Sequence, residues 1–133
     1  MNVYTTAPLE DPRAARTLYK TLEDIGYDGA FSFEAKHDPF VTLAVAAEHT
    51  RTLRLGTAIA IAFARNPMNL AHLGYDLQSL SAGRFVLGLG SQVRPHIEKR
   101  FSSVWSHPAE RMREIVLAIK AIWNCWEGHA PLD

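Results

Sequence analysis

The sequence predicts an α/β fold in which short strands alternate with amphipathic helices and pair in parallel. Three observations predict it. Asp11-Pro12, Asp38-Pro39, Asn66-Pro67 and His107-Pro108 each stand immediately before a helical pattern. Short apolar or alternating segments, bounded by glycine, lie between those patterns. The first three of these prolines are 27 and 28 residues apart, a weak internal repeat. Alternation at that spacing implies parallel strands joined by right-handed crossovers. An open doubly wound sheet and part of a (β/α)₈ barrel both satisfy it.

Each helix start has a chemical reason. A short polar side chain can accept the free amides of a first turn, and proline suits the first helical position because it has no N–H to leave unpaired. Asp11, Asp38 and Asn66 are good caps; His107 is a poorer one. After Pro12, Ala15, Leu18, Leu22 and Ile25 keep helical spacing until Gly26, which can take the left-handed stop. After Pro39 come Leu43, Ala44 and Ala47, with an end near Thr50. Leu70, Leu73, Leu77 and Leu80 form a cleaner stripe after Pro67, closed by Gly83. The longest stripe follows Pro108 and uses Met112, Ile115, Ile119, Ile122 and Trp126. The strands between them are expected at 3–6, 30–33, 53–61 and 84–89. Beyond the fourth strand, Gly90 to Ser106 is far longer than an ordinary βα loop, and such loops carry binding sites in folds of this class.

Composition narrows the function classes. The 133 residues suit one domain, expected over 1–133, with 47% apolar and 21% charged residues. Zero formal net charge removes any bulk electrostatic case for nucleic acid or an anionic membrane. Cys125 is the one cysteine, so no internal disulfide can form. The N-terminus lacks a basic region followed by an apolar run, and the stretch Leu53 to Phe63, interrupted by Arg54, is too short to span a bilayer. The chain reads as soluble and cytoplasmic, with no membrane or nucleic-acid partner.

Two segments can carry chemistry. Glu34-Ala35-Lys36-His37-Asp38 follows the second strand, where a parallel sheet opens its active face. Histidine is the side chain suited to proton exchange at neutral pH, so His37 can exchange a proton with a substrate; the plainer reading makes Asp38 a helix cap and His37 a loop hydrogen-bonder. Gly88-Leu89-Gly90-Ser91 ends the fourth strand, either as a turn that lets a ring or phosphate approach the backbone or as a tight βα turn. It lacks the third glycine of a dinucleotide fingerprint. His49, His72 and His129 show no ligand spacing, and no Cys/His cluster suggests a metal. Trp105, Trp123 and Trp126 suit a core or interface. Arg94, Lys99 and Arg100 in the long loop suit an anionic cofactor tail or a solvated helix.

Three motifs carry a family resemblance. Gly26-Tyr27-Asp28-Gly29, Arg54-Leu55-Gly56-Thr57-Ala58-Ile59, and the run from Leu80-Ser81-Ala82-Gly83-Arg84 through Phe85-Val86-Leu87-Gly88-Leu89-Gly90 resemble the luciferase-like monooxygenase superfamily. The resemblance is closest to its deazaflavin branch, which uses coenzyme F-420, and covers nearly the whole chain. It implies four βα units of a (β/α)₈ TIM barrel and hydride transfer or monooxygenation of a small organic substrate, with FMN as the alternative cofactor. It implies a non-proline cis peptide at Ala58-Ile59 behind the cofactor ring. It also implies Gly88, Gly90 and Ser91 near the cofactor, and Glu34 and His37 as the acidic residue and histidine of catalysis, spaced wider than the adjacent pair common in the family.

A complete barrel of this type needs about 250 residues. The expectation is therefore an N-terminal half-barrel, a truncated member of the family. The alternatives are a half that becomes active by pairing with itself or with a complementary half, and a non-catalytic binding module. Phe31, Phe33, Leu55, Ala58, Ala60, Val86 and Gly88 are expected on the inward face, with open edges at strands one and four.

Overall fold

The structure, a computed structural model, describes residues 1–7 and 11–131. The chain divides into two compact units, Met1–Ala60 with Asp76–Leu89, and Ile61–Tyr75 with Gly90–Asp133.

The first unit holds a four-stranded parallel sheet. Its strands are β1 (Tyr4–Thr6), β2 (Gly29–Ser32), β3 (Arg54–Thr57) and β5 (Phe85–Val86), paired in that order. Strand neighbours follow chain order without reversal. A doubly wound sheet reverses at a switch point, and a barrel does not. The order is that of consecutive barrel units.

The polar residues before the prolines act as caps. Asp11 accepts from the Arg13 N–H at 2.9 Å and opens a 3₁₀ turn, Pro12–Ala14, that leads into α1 (Ala15–Ile25). Asp38 accepts from the Phe40 N–H at 2.8 Å to start α2 (Pro39–His49). Asn66 accepts from the Asn69 N–H at 2.9 Å to start α3 (Pro67–Leu80). His107 makes no cap and takes left-handed φ of 36° before α5 (Pro108–Trp126). Gly26, at φ 105°, is the left-handed stop of α1.

Register corrects the expected inward face. The row Ala30↔Leu55↔Phe85 is buried, and α2 packs on β2 and β3. Leu55 therefore belongs to the helix-covered side. The opposite side carries the row Thr6↔Phe31↔Gly56↔Val86, with Tyr4↔Gly29 before it. Tyr4 and Val86 are 40% and 41% exposed there. Two glycines let the aromatic rings lie flat. A Cβ on Gly29 would stand 2.5 Å from the Tyr4 ring, and one on Gly56 would stand 2.7 Å from Phe31.

Other expectations change in detail. The third strand breaks after Thr57 and resumes as β4 (Ala60–Ile61); the fourth breaks after Val86 and resumes as β6 (Leu89–Gly90). Ile25 and Leu80 are exposed, while Tyr19, absent from the expected stripe, is wholly buried on α1. Burial pushes its phenol up to about 12; Ser32 stands near it, but its oxygen lacks a hydrogen bond of ordinary geometry.

The second unit contains the start of α3, a short α4 (Arg94–Arg100) within the long connection, and α5. Its core includes Phe63, Leu70, Ile97, Ile115, Ile119 and Ile122. Trp123 donates its indole N–H to the Ala71 carbonyl at 2.9 Å, and Trp126 stacks on His72 at 5.0 Å. Trp105 lies against Phe63 at 5.3 Å. All three tryptophans therefore pack on neighbouring side chains or backbone of this unit.

Candidate functional site: the C-terminal edge of the parallel sheet

The edge is built by strands that leave their ladder early. β3 and β5 stay paired only through Gly56↔Val86. The next strand-to-strand bonds come from a side chain. Thr57 Oγ1 donates to the Gly88 carbonyl at 2.7 Å and accepts from the Gly88 N–H at 2.9 Å. The Ala60 N–H then donates to that same carbonyl at 2.9 Å.

Ala58 and Ile59 are consequently extra residues between two contacts with Gly88, which is the form of a bulge. The peptide joining them is cis, as the resemblance implies. On the other flank, the Ala58 N–H donates to the Ser32 carbonyl at 2.8 Å, and the Glu34 N–H donates to the Ile59 carbonyl at 3.2 Å. The bulge is pinned to both neighbouring strands. Ala58 is exposed, and Ile59 and Gly88 are half-buried. Gly88 admits no side chain, because a Cβ there would lie 1.9 Å from the Thr57 carbonyl oxygen.

Of the residues expected at the site, the first unit brings together Ala58, Ile59 and Gly88, with Glu34 joined to them through its backbone. His37 is half-buried in the same connection, between β2 and α2. Arg13, through its hydrogen bonds, and more weakly the nearby His37 hold the Asp11 carboxyl below the usual carboxylate range. Asp38 is the cap of α2. Gly90 and Ser91 belong to the second unit, where the Ser91 hydroxyl donates to the Gln92 carbonyl at 3.2 Å. Lys99 and Arg100 lie in α4, as does Arg94, which pairs with Glu98 at 2.9 Å.

Two structural anchors below this edge were also missed. The Glu23 carboxylate accepts from three successive N–H groups, Arg51, Thr52 and Leu53, at 2.8, 2.8 and 2.9 Å. Arg84 donates to the carbonyls of Ala47, Thr50, Leu53 and Ser81 and to the Thr50 hydroxyl. Arg84 was legible only as a motif letter. Apart from Ser81, its partners lie more than thirty residues away, so no local spacing announces them. Among the described residues, no three His, Cys, Asp or Glu side chains converge to hold a metal ion, and no helix is long and apolar enough to cross a membrane.

The comparisons decide the family. The luciferase-like monooxygenase family model matches residues 2–131. The chain belongs to this family. An uncharacterized protein of Mycobacterium tuberculosis is 62% identical over 111 residues, covering 84% of this chain and 33% of that protein. The chain thus spans about a third of the length of the curated relatives it matches. Among solved structures, the coenzyme F-420 dependent tetrahydromethanopterin reductase of Methanopyrus kandleri superposes with a TM-score of 0.77 at 21% identity, covering 89% of this chain and 39% of that one. The oxygenating constituent of 3,6-diketocamphane monooxygenase from Pseudomonas putida, in complex with FMN, gives 0.79 at 17% identity, covering 93% and 40%. At those identities the likeness establishes the fold: a luciferase-like α/β chain carrying part of the barrel.

Proposed function

We propose that this luciferase-like chain supplies the N-terminal strands of an oxidoreductase that transfers a hydride between a deazaflavin, coenzyme F-420, and a small organic substrate. The observation that carries the reading is the pinned Ala58–Ile59 bulge at the end of β3, beside a Gly88 that has no room for a side chain. Ala58 is exposed and presents only a methyl group, so a planar ring could approach the peptide edge there, while Gly88 is what lets β3 come close behind it. When bound, the cofactor would supply the hydride acceptor or donor. The residues of this chain would back the ring through Ala58, Ile59 and Gly88. His37 would exchange a proton with the substrate, and Glu34 would stand at the same edge through its backbone bond to Ile59. FMN is the alternative, supported by the FMN-bound relative of the same fold.

The test is a fluorescence titration of the purified chain with oxidised coenzyme F-420 and, separately, with FMN. Saturable binding in the millimolar to high micromolar range is expected, about −4 to −6 kcal/mol, because this chain offers the ring face and not the whole cradle. No saturable binding of either cofactor near millimolar concentration overturns the reading. Submicromolar binding by a proven monomer would place the cofactor elsewhere.

A second proposal concerns assembly. Tyr4 and Val86 are exposed on the sheet face they share with half-buried Phe31, and the Tyr4 and Phe31 rings meet there at 5.7 Å. We propose that a second copy covers it, so that activity belongs to the paired barrel.

A further inference from the structure

Four anchors, five hydrogen bonds in all, hold the Ala58–Ile59 bulge to its neighbours, besides the chain itself. Ala58 to Ser32, Glu34 to Ile59 and Ala60 to Gly88 are backbone bonds that any residue type but proline would make. The fourth anchor is a side chain. The Thr57 hydroxyl both donates to and accepts from Gly88, at 2.7 and 2.9 Å, just where the β3–β5 ladder has ended. Thr57 is only 2% exposed, so water offers no easy replacement for those two bonds. Its hydroxyl and the Ala60 amide reach the same Gly88 carbonyl, and this shared attachment fixes how far the two intervening residues project.

We propose that Thr57 is the positioning residue of this edge: by clamping Gly88 against β3 it sets the projection of Ala58–Ile59 and thereby the affinity for a flavin-type ring. The affinity clause rests on the cofactor reading above; the clamping clause does not. Thr57 touches no reacting atom in this scheme and acts through Gly88. Serine should replace it, because only the hydroxyl is needed. Valine, with the same shape and no hydroxyl, should not.

The experiment measures two things on Thr57→Val and Thr57→Ser in the full chain. One is the exchange rate of the Gly88 amide by NMR, which needs no cofactor. The other is the dissociation constant for coenzyme F-420 and for FMN. Thr57→Val is expected to speed Gly88 exchange about tenfold or more and to weaken ring binding by a similar factor, as loss of a buried hydrogen-bonded hydroxyl implies. Thr57→Ser should stay within about twofold of the parent in both. If valine fails to fold, Thr57→Cys, which differs from the serine variant by a weaker S–H donor in place of the hydroxyl, should fall between serine and that limit.

Unchanged Gly88 exchange in a folded valine or cysteine variant overturns the clamp. Faster exchange with unchanged binding, in a chain whose parent binds, overturns the link to the cofactor. A parent that binds neither cofactor overturns the function proposed above and the affinity clause with it, while the exchange data still decide the clamp.

Discussion

At the scale of single residues, Glu23 has the clearest energetic consequence. Burial pushes its carboxyl up, but hydrogen bonds from the Thr52, Leu53 and Arg51 backbone amides more than offset this and hold it down at about 2. Its side chain is 11% exposed, so the bonds are little screened. A folded pKa below the unfolded value, near 4.5, means that the carboxylate stabilises the fold above the unfolded pKa. That contribution, about 3 kcal/mol in full, fades as pH falls from about 4.5 toward 2. Glu23→Gln should therefore lower the denaturation midpoint at neutral pH and do so much less near pH 3, where about 2 kcal/mol of the parent's advantage is already lost. Urea melts of both proteins at the two pH values check this; a gap that stays constant with pH would show that the three amides do not depend on the charge. The same scale explains why Glu23 was invisible in the sequence. It lies on the side of α1 that the apolar stripe leaves out, and its partners are about thirty residues away.

At the scale of elements, Arg84 ties one helix end to two turns. Its guanidinium fork occupies the Ala47 and Thr50 carbonyls that α2 leaves unpaired at its C-terminus, and adds Leu53 and Ser81. Burial lowers the Arg84 pKa and Glu23 raises it, a sign of how far the group is withdrawn from water. Arg84→Met should cost about 3 kcal/mol, because the carbonyls lose charged donors in a part-buried site. Arg84→Lys should recover little, since an ammonium cannot reproduce the fork. Thermal unfolding should show both variants lowered by roughly 10 °C; a lysine variant as stable as the parent would mean that charge alone matters. The family motifs thus serve the scaffold as much as the site: Gly29 and Gly56 receive rings, and Asp28 accepts the Val3 N–H at 2.6 Å. Caps and helix spans were legible because they depend on neighbours within three residues. Strand ends were not, because a bulge is defined by what lies opposite it. The interruption at Ala58–Ile59 reached the sequence reading only through the resemblance, and the Thr57 clamp did not reach it at all.

At the scale of the whole molecule, the parallel order of strands is legible from alternation, but the face each residue takes is legible only in part: Phe31 and Val86 lie on the expected face and Leu55 does not. Alternation fixes pairs of faces and leaves open which one the helices cover. Leu55 is the residue for which this matters: expected inward, it lies in the buried row with Ala30 and Phe85. The corrected face carries Tyr4, Phe31 and Val86, with Phe33, 39% exposed, just past the end of β2. Isolated apolar residues on a surface are ordinary, whereas a contiguous patch of several hundred Å² usually marks an interface. Covering about 400 Å² of it on each copy would contribute on the order of 10 kcal/mol per copy, against association costs of roughly 4–15 kcal/mol. The balance favours pairing of copies through this face. Sedimentation of the purified chain should therefore give dimers, and Val86→Lys should weaken them at least about tenfold, since an ammonium desolvated within that contact has no partner. Val86 is 41% exposed, so the lysine leaves the core of the single chain intact and its circular dichroism should match the parent's. Monomers that persist at high concentration and bind no hydrophobic dye would overturn the proposal. Dimers indifferent to Val86→Lys would move the contact to another surface.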